Sequence, residues 1–161
     1  MALIRTSHLI ILFITALVVR LVWVPRWSLI QFEGHEAAYL RAFNGAEVGA
    51  STAAYPALTA LYGAIGSATS DPRALVAFSA LIGALGVVGF ALWVTQETSS
   101  RAGVLAGTMA CLLPEHVLWS TSAYNVIVPN TLLIWGLALR GYPAFVLCLM
   151  AGMVRVETLL V

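Results

Sequence analysis

Residues 74–94 read ALVAFSALIGALGVVGFALWV, an apolar run without a charged side chain. As a helix, a run of this length rises about 30 Å, which is the thickness of the hydrocarbon core of a bilayer. Gly83, Gly86 and Gly89 recur within it at three-residue spacing and offer a surface on which another helix can pack closely. The run therefore predicts a membrane-spanning helix with close helical neighbours.

The composition of the whole chain agrees with that prediction. Hydrophobic residues make up 61% of the 161 residues, charged residues only 9%, and the mean hydropathy is +0.95. Because a soluble domain is about one half apolar and about a quarter charged, we expect an integral membrane protein. The net charge of +1, without a cluster of basic residues, excludes a nucleic-acid-binding protein.

Further apolar runs predict an all-α, polytopic transmembrane helical bundle of about five spans. The predicted spans are residues 3–24, 74–94, 102–119, 125–139 and 142 to the end of the chain. Pro114 interrupts the third span, and the fourth is only about 22 Å long as a helix. This shallow hairpin is expected to leave a cavity on one side of the membrane.

The first span and the segment after it carry further expectations. Arg20, close to the end of residues 3–24, is expected to extend its charged end to the interface. Residues 3–24 also resemble a signal peptide, but no small-x-small cleavage site precedes Pro25. In the first outer loop, residues 25–73, short interfacial helices are predicted at 35–44 and 56–67.

Basic residues in the short loops predict the orientation. Arg101 and Arg140 lie in alternate connections, whereas residues 118–125 contain no basic residue. By the positive-inside rule the N-terminus is cytoplasmic and the first outer loop is extracytoplasmic. The chain stops inside an apolar run, so we expect residues 1–161 to be the N-terminal part of a longer protein whose C-terminal remainder is missing.

The densest chemistry lies in the first outer loop. Glu33, His35, Glu36 and Tyr39 follow one another there, and a helix would bring Glu33, Glu36 and Tyr39 to one edge. Paired carboxylates at a membrane surface serve as a general base, a metal ligand or a cation site. The alternatives are a solvated loop for the two glutamates and a structural role for His35.

Two further groups are candidate substrate-binding residues. Glu115 and His116 follow the interruption at Pro114 on the predicted outer side, where a simple interfacial turn is the alternative. Arg155 and Glu157 lie within the fifth predicted span, where ionisable groups are costly and face a cavity or each other. Either they form a local ion pair, or Arg155 meets an anionic group such as a lipid phosphate.

The order of these features resembles the N-terminal half of the C-type membrane glycosyltransferases, which are similar to protein O-mannosyltransferases and aminoarabinose transferases. The matching stretches are His35-Glu36-Ala37-Ala38-Tyr39, Tyr55-Pro56, Asp71-Pro72-Arg73-Ala74, Leu113-Pro114-Glu115-His116 and Arg155-Val156-Glu157. The family's first outer loop reads Asp-Glu-x-x-Tyr, so His35 stands in place of Asp. Val156 stands in place of Pro in an Arg-Pro-Glu-like motif.

The resemblance implies an inverting transfer of a hexosyl or pentosyl group from a polyprenyl-phosphate donor to a glycan, lipid or protein acceptor. It would take place extracytoplasmically, in the bacterial inner (plasma) membrane among membrane lipids, and the fragment alone would be inactive. Because His35 replaces the Asp, either Glu36 carries the catalytic carboxylate or Glu33 has taken over that role, and His35 is a further candidate base. No cofactor is certain, although a divalent metal ion is one candidate for stabilising the departing phosphate. The alternatives are a transporter or channel component built on Arg155 and Glu157, or a noncatalytic scaffold.

Overall fold

Helix follows helix through the part of the chain that the computed structural model describes, residues 4–22, 40–46, 56–121 and 127–154. No strand occurs in these ranges, and the all-α prediction is confirmed. Seven helices have defined bounds, and residues 40–43 are also helical. They are α1 (Thr6–Leu21), α2 (Pro56–Ala68), α3 (Arg73–Glu97), α4 (Ser100–Leu112), α5 (Pro114–Ser120), α6 (Ile127–Leu139) and α7 (Gly141–Val154).

Local chemistry sets several helix ends. Helices α2 and α5 begin at proline. Proline lacks a backbone N–H, and it is tolerated in the first turn because an N–H at that position would have no intrahelical acceptor. The side chain of Ser99 accepts a hydrogen bond from the backbone N–H of Ala102 and caps α4. Between α6 and α7 the chain turns through Arg140 and Gly141, which have φ angles of 56° and 68°. That left-handed conformation ends α6 and suits the glycine.

Helix α3 lies at the centre, packed against α1, α4 and α6. Small residues allow this close packing. A Cβ atom built on Gly86 would lie 2.8 Å from Oγ1 of Thr131 on α6, and one on Gly107 would lie 2.9 Å from Cβ of Ala91 on α3. The predicted packing role of the glycines is therefore confirmed at these helix contacts.

The outer faces of the helices carry large apolar side chains. Ile11 on α1, Leu105 on α4 and Phe145 on α7 are 59%, 62% and 66% exposed. Small residues such as Ala80 and Ala84, by contrast, are fully buried between the helices. A helix on the surface of a soluble protein shows the opposite distribution, with polar residues outward.

The five-span prediction is not supported by the helix lengths. Of the described helices only α3, with 25 residues, is long and apolar enough to cross a membrane, and the bent pair of α4 and α5 would make a second span if counted as one. Helices α1, α6 and α7 have 16, 13 and 14 described residues. A helix of 16 residues rises about 24 Å, short of the hydrocarbon core of about 30 Å. Apolar composition does not fix the length of a helix, since Pro114 divides one apolar run into α4 and α5.

An ion pair brings two loops together at one end of α3. Arg140, after α6, forms an ion pair with Glu97 at the end of α3, and Arg101 lies in the first turn of α4. The described structure thus brings the loops of Arg101 and Arg140 to the same end of α3. Their sidedness in a membrane stays a prediction.

Candidate functional site

Most of the predicted site residues lie outside the described part of the chain. These are Glu33, His35, Glu36, Tyr39, Arg155 and Glu157. The remaining two, Glu115 and His116, lie side by side in the first turns of α5. The structure therefore describes two of the eight predicted site residues.

The bend before α5 determines where these two side chains point. Helices α4 and α5 meet at 65° across Leu113, because Pro114 opens a new helix there. Glu115 is exposed in the first turn of α5, where a carboxylate interacts favourably with the helix dipole. His116 is half-buried and faces α1.

Arg20, near the end of α1, is the partner of His116. Its Nη2 donates to Nδ1 of His116 at 2.6 Å, its Nε donates to Oγ of Ser120 at 2.7 Å, and its Nη1 donates to the backbone oxygen of Ala16 at 2.8 Å. The hydroxyl of Ser120 in turn donates to the backbone oxygen of His116 at 2.6 Å. We refer to Arg20, His116 and Ser120 as the Arg20 cluster.

The charge of this cluster is not balanced by a carboxylate in the described ranges. Arg20 is 0% exposed, and within those ranges it is the only charged side chain that is buried. Its three hydrogen-bond acceptors are all uncharged, and the one ion pair among the described residues joins Arg140 to Glu97. The expectation that Arg20 extends to the interface is therefore wrong. Three acceptors inside the bundle hold the guanidinium there, and burying a charge without an anion costs several kcal/mol.

Glycine on α3 makes room for the cluster. A Cβ atom on Gly83 would lie 2.9 Å from Oγ of Ser120 and 3.1 Å from Nε of Arg20. Any larger residue at this position would displace the side chains of Ser120 and Arg20 from α3. Side chains at a close-packed helix contact cannot move away without repacking. Three helices, α1, α3 and α5, thus meet at this point.

A groove of about 600 Å³ lies along α5 and the end of α1, and no residue of the Arg20 cluster lines it. It is lined by Val19, Leu112, Pro114, Glu115, Val117, Leu118, Trp119 and Thr121. All of these side chains are apolar except Glu115 and Thr121. Val19 and Val117 directly adjoin Arg20 and His116 in the chain. The groove is large enough for a small ligand or a segment of a hydrocarbon chain.

Metal binding has no support in the described ranges. No three His, Cys, Asp or Glu side chains come together there. Cys111 is buried next to α1, its Sγ lying 3.6 Å from the backbone oxygen of Leu12, which is packing rather than ligation. The possible divalent ion stays a prediction that concerns the undescribed acidic loop.

No protein-family model matches this chain, and neither a curated protein nor a solved structure does.

The sequence analysis missed Arg20 and Ser120 as site residues. One signal was present: Arg20 is followed by Leu21, Val22 and Trp23, so the apolar run continues beyond the charge. An arginine inside such a run indicates a functional site by default. No local sequence pattern indicates its partners His116 and Ser120, which lie 96 and 100 residues away in the chain.

Proposed function

We propose that this chain is part of a membrane glycosyltransferase that takes its sugar from a polyprenyl-phosphate donor on the extracytoplasmic side. The order of motifs along the sequence supports this reading, from the first outer loop to the Arg155 motif. The observation that carries it furthest is the groove at the bend between α4 and α5. It combines an apolar lining with the exposed carboxylate of Glu115.

The chemistry of the groove fits an amphiphilic donor better than a water-soluble one. Apolar side chains such as Leu118 and Trp119 can cover a hydrocarbon chain. The exposed carboxylate of Glu115 can accept hydrogen bonds from sugar hydroxyl groups. A polyprenyl-phosphate sugar carries these parts in one molecule, with the phosphate between chain and sugar.

The exposed apolar faces of α1, α4 and α7 support placement in a membrane. Side chains such as Met109 and Met153, each 66% exposed, would contact lipid there instead of water. The finer arrangement of about five spans in a bacterial inner membrane, N-terminus cytoplasmic, is part of this proposal. Bilayers adapt to short helices by local thinning, at a fraction of a kcal/mol per Å.

In the proposed reaction, a carboxylate of the first outer loop takes the proton of the acceptor hydroxyl. The acceptor oxygen attacks the anomeric carbon from the face opposite the phosphate, the bond to the phosphate oxygen breaks, and the configuration inverts. Glu36 is the proposed base, with Glu33 or His35 in its place or beside it. A hydrogen-bond donor or cation stabilises the departing phosphate.

The test is sugar transfer by the full-length protein in lipid nanodiscs. Polyprenyl phosphates that carry labelled hexoses or pentoses are supplied, and release of the polyprenyl phosphate is measured. Glu36→Gln is expected to lower turnover by about 10² to 10⁴, the usual contribution of a general base. Glu97→Gln, an exposed acid at the far end of α3, is the matched control and should retain turnover. If no donor is consumed, or if Glu33→Gln, Glu36→Gln and the double variant all turn over like wild type, the proposal is wrong.

A further inference from the structure

One carboxylate lies in an otherwise apolar groove at the bend between α4 and α5. Of the described side chains that line the groove, that of Glu115 is the only charged one, so no described basic residue lies beside it there. Glu115 is exposed and forms no ion pair or hydrogen bond through its side chain within the described ranges. The groove therefore presents one unpaired negative charge next to apolar walls.

Glu115 and Trp119 lie on the same side of α5. They are four residues apart, slightly more than one helical turn, and both line the groove. Tryptophan in membrane proteins is enriched at the level of the lipid headgroups, because its ring is apolar and its N–H is polar. An indole ring also attracts a cation that approaches its face. In a membrane, the charged part of the groove would thus lie among headgroups.

The apolar walls of the groove extend beyond the carboxylate. Leu112 at the end of α4 and Leu118 on α5 line it and are 62% and 50% exposed, and Val19 of α1 adds a further apolar side chain. A cavity of about 600 Å³ has room for a cationic group together with part of a hydrocarbon chain. A small water-soluble amine would leave these apolar side chains uncovered. The occupant therefore carries a cation and a hydrocarbon chain in one molecule.

We propose that the groove binds an aminophospholipid of the surrounding bilayer, with the ammonium group of its headgroup on the carboxylate of Glu115. The first part of an acyl chain lies along Leu112 and Leu118. Two observations carry this assignment: the unpaired carboxylate, which requires a cation for charge complementarity, and the apolar lining, which requires a hydrocarbon chain. A phospholipid with a protonated primary amine meets both requirements and surrounds any protein that lies in a bilayer containing it.

An ammonium group is a stronger partner for Glu115 than a hydroxyl group is. It carries a positive charge and N–H donors, so it adds an attraction between opposite charges to the hydrogen bond. The hydroxyl groups of a sugar or of a glycerol headgroup form the hydrogen bond without that attraction. No described basic side chain lines the groove to favour the lipid phosphate instead. The groove thus selects a lipid by its amine.

The lipid also regulates access to the groove, a part of the inference that rests on the proposed function. The sugar donor would reach Glu115 through its hydroxyl groups, so the donor and the aminophospholipid use the same carboxylate and exclude each other. By mass action, a bilayer rich in the aminophospholipid lowers the apparent affinity for the donor. The amine content of the bilayer thereby sets how readily the donor enters.

Photo-crosslinking of the full-length protein in phosphatidylglycerol nanodiscs tests the lipid site. Phosphatidylethanolamine and its N-acetyl derivative, in which the amine is uncharged, carry the same photoreactive acyl chain. Mass spectrometry measures the crosslinks in the peptide that contains residues 112–119. In wild type we expect about fivefold more crosslinks from phosphatidylethanolamine, as for an ion pair at a partly exposed site. Glu115→Gln should remove that preference, and Glu115→Asp should retain part of it. Glu97→Gln, an exposed acid outside the groove, is the control and should keep it.

Equal crosslinking by the two lipids in wild type, or an unchanged preference in Glu115→Gln, would overturn the inference. So would equal crosslinking by phosphatidylcholine, whose quaternary ammonium donates no hydrogen bond, or displacement by millimolar ethanolamine, because the ligand would then be a water-soluble amine. Added polyprenyl-phosphate sugar should lower the crosslinks from phosphatidylethanolamine. A preference for phosphatidylethanolamine that depends on Glu115, in a protein that binds no sugar donor, would support the lipid site while the proposed function fails.

Discussion

Two arginines at different levels of the bundle experience opposite environments. Arg140 and its partner Glu97 are 57% and 51% exposed, and their charges neutralise each other in contact with the surroundings. Arg20 is 0% exposed and donates only to neutral acceptors among the described residues. Gly83, which packs on Arg20, precedes Glu97 by 14 residues of α3, about 21 Å of helix.

The difference in exposure between Arg20 and Arg140 determines what each charge costs the fold. An exposed ion pair costs little to form and contributes little to stability. Burying a guanidinium without an anion costs several kcal/mol of stability, which the rest of the fold must offset. The Arg20 cluster therefore connects α1 to α5 at a cost in stability, whereas the Arg140 pair connects two loops at little cost.

Replacing Gly83 with alanine should give the largest effect. The new Cβ would lie 2.9 Å from Oγ of Ser120, so the cluster must shift, and we expect the free energy of unfolding to fall by about 3 kcal/mol. Gly63→Ala is the control, since its Cβ meets only the backbone oxygen of Ala42 at 3.5 Å. That variant should gain up to about 1 kcal/mol from helix propensity. Unfolding in detergent measures both, and equal stability of the two variants would contradict close packing at Gly83.

Removing the buried charge should stabilise the protein. In the ligand-free protein, Arg20→Met keeps a similar side-chain volume and abolishes the cost of desolvating the guanidinium. The free energy of unfolding should therefore be about 2 kcal/mol higher than in wild type. The measurement is the same unfolding experiment without added lipid. A loss of more than about 3 kcal/mol would instead indicate that the protein itself supplies an anion to Arg20.

Ser120→Ala should destabilise the protein by a smaller amount. The variant leaves Nε–H of the buried guanidinium without its acceptor, at a cost of about 1 to 2 kcal/mol. The matched control is Thr108→Ala, whose exposed hydroxyl bonds only to Val104 of its own helix. The control should stay within about 0.5 kcal/mol of wild type. If both variants unfold alike, the hydroxyl of Ser120 is not needed by Arg20.

The smallest effect is expected at the exposed pair. Arg140→Gln should lower the free energy of unfolding by less than about 1 kcal/mol, and the difference from wild type should shrink as salt is raised. Unfolding at low and at high ionic strength measures this. A large effect that does not depend on salt would mean that Arg140 has a structural role comparable to that of Arg20.

Sequence patterns predicted the local features of this fold well. The proline at the start of α5 predicted the break in the third apolar run, and the glycines at 83 and 86 predicted a close packing face on α3. The apolar runs also predicted five spans, which the described helix lengths do not support, because hydrophobic composition does not determine helix length. At the candidate site, the sequence pointed to Glu115 and His116 but not to Arg20, which bonds to His116 from a helix far away in the sequence.

By itself, then, the sequence determined that this chain is helical, apolar and closely packed, with one helix break at Pro114. Those properties follow from residue types and spacings over a few turns of helix. Only the tertiary structure decided that Arg20 is buried, that it bonds to His116 and Ser120, and that a groove lies along α5. These are contacts between residues about a hundred positions apart, and no periodicity along a single helix encodes them.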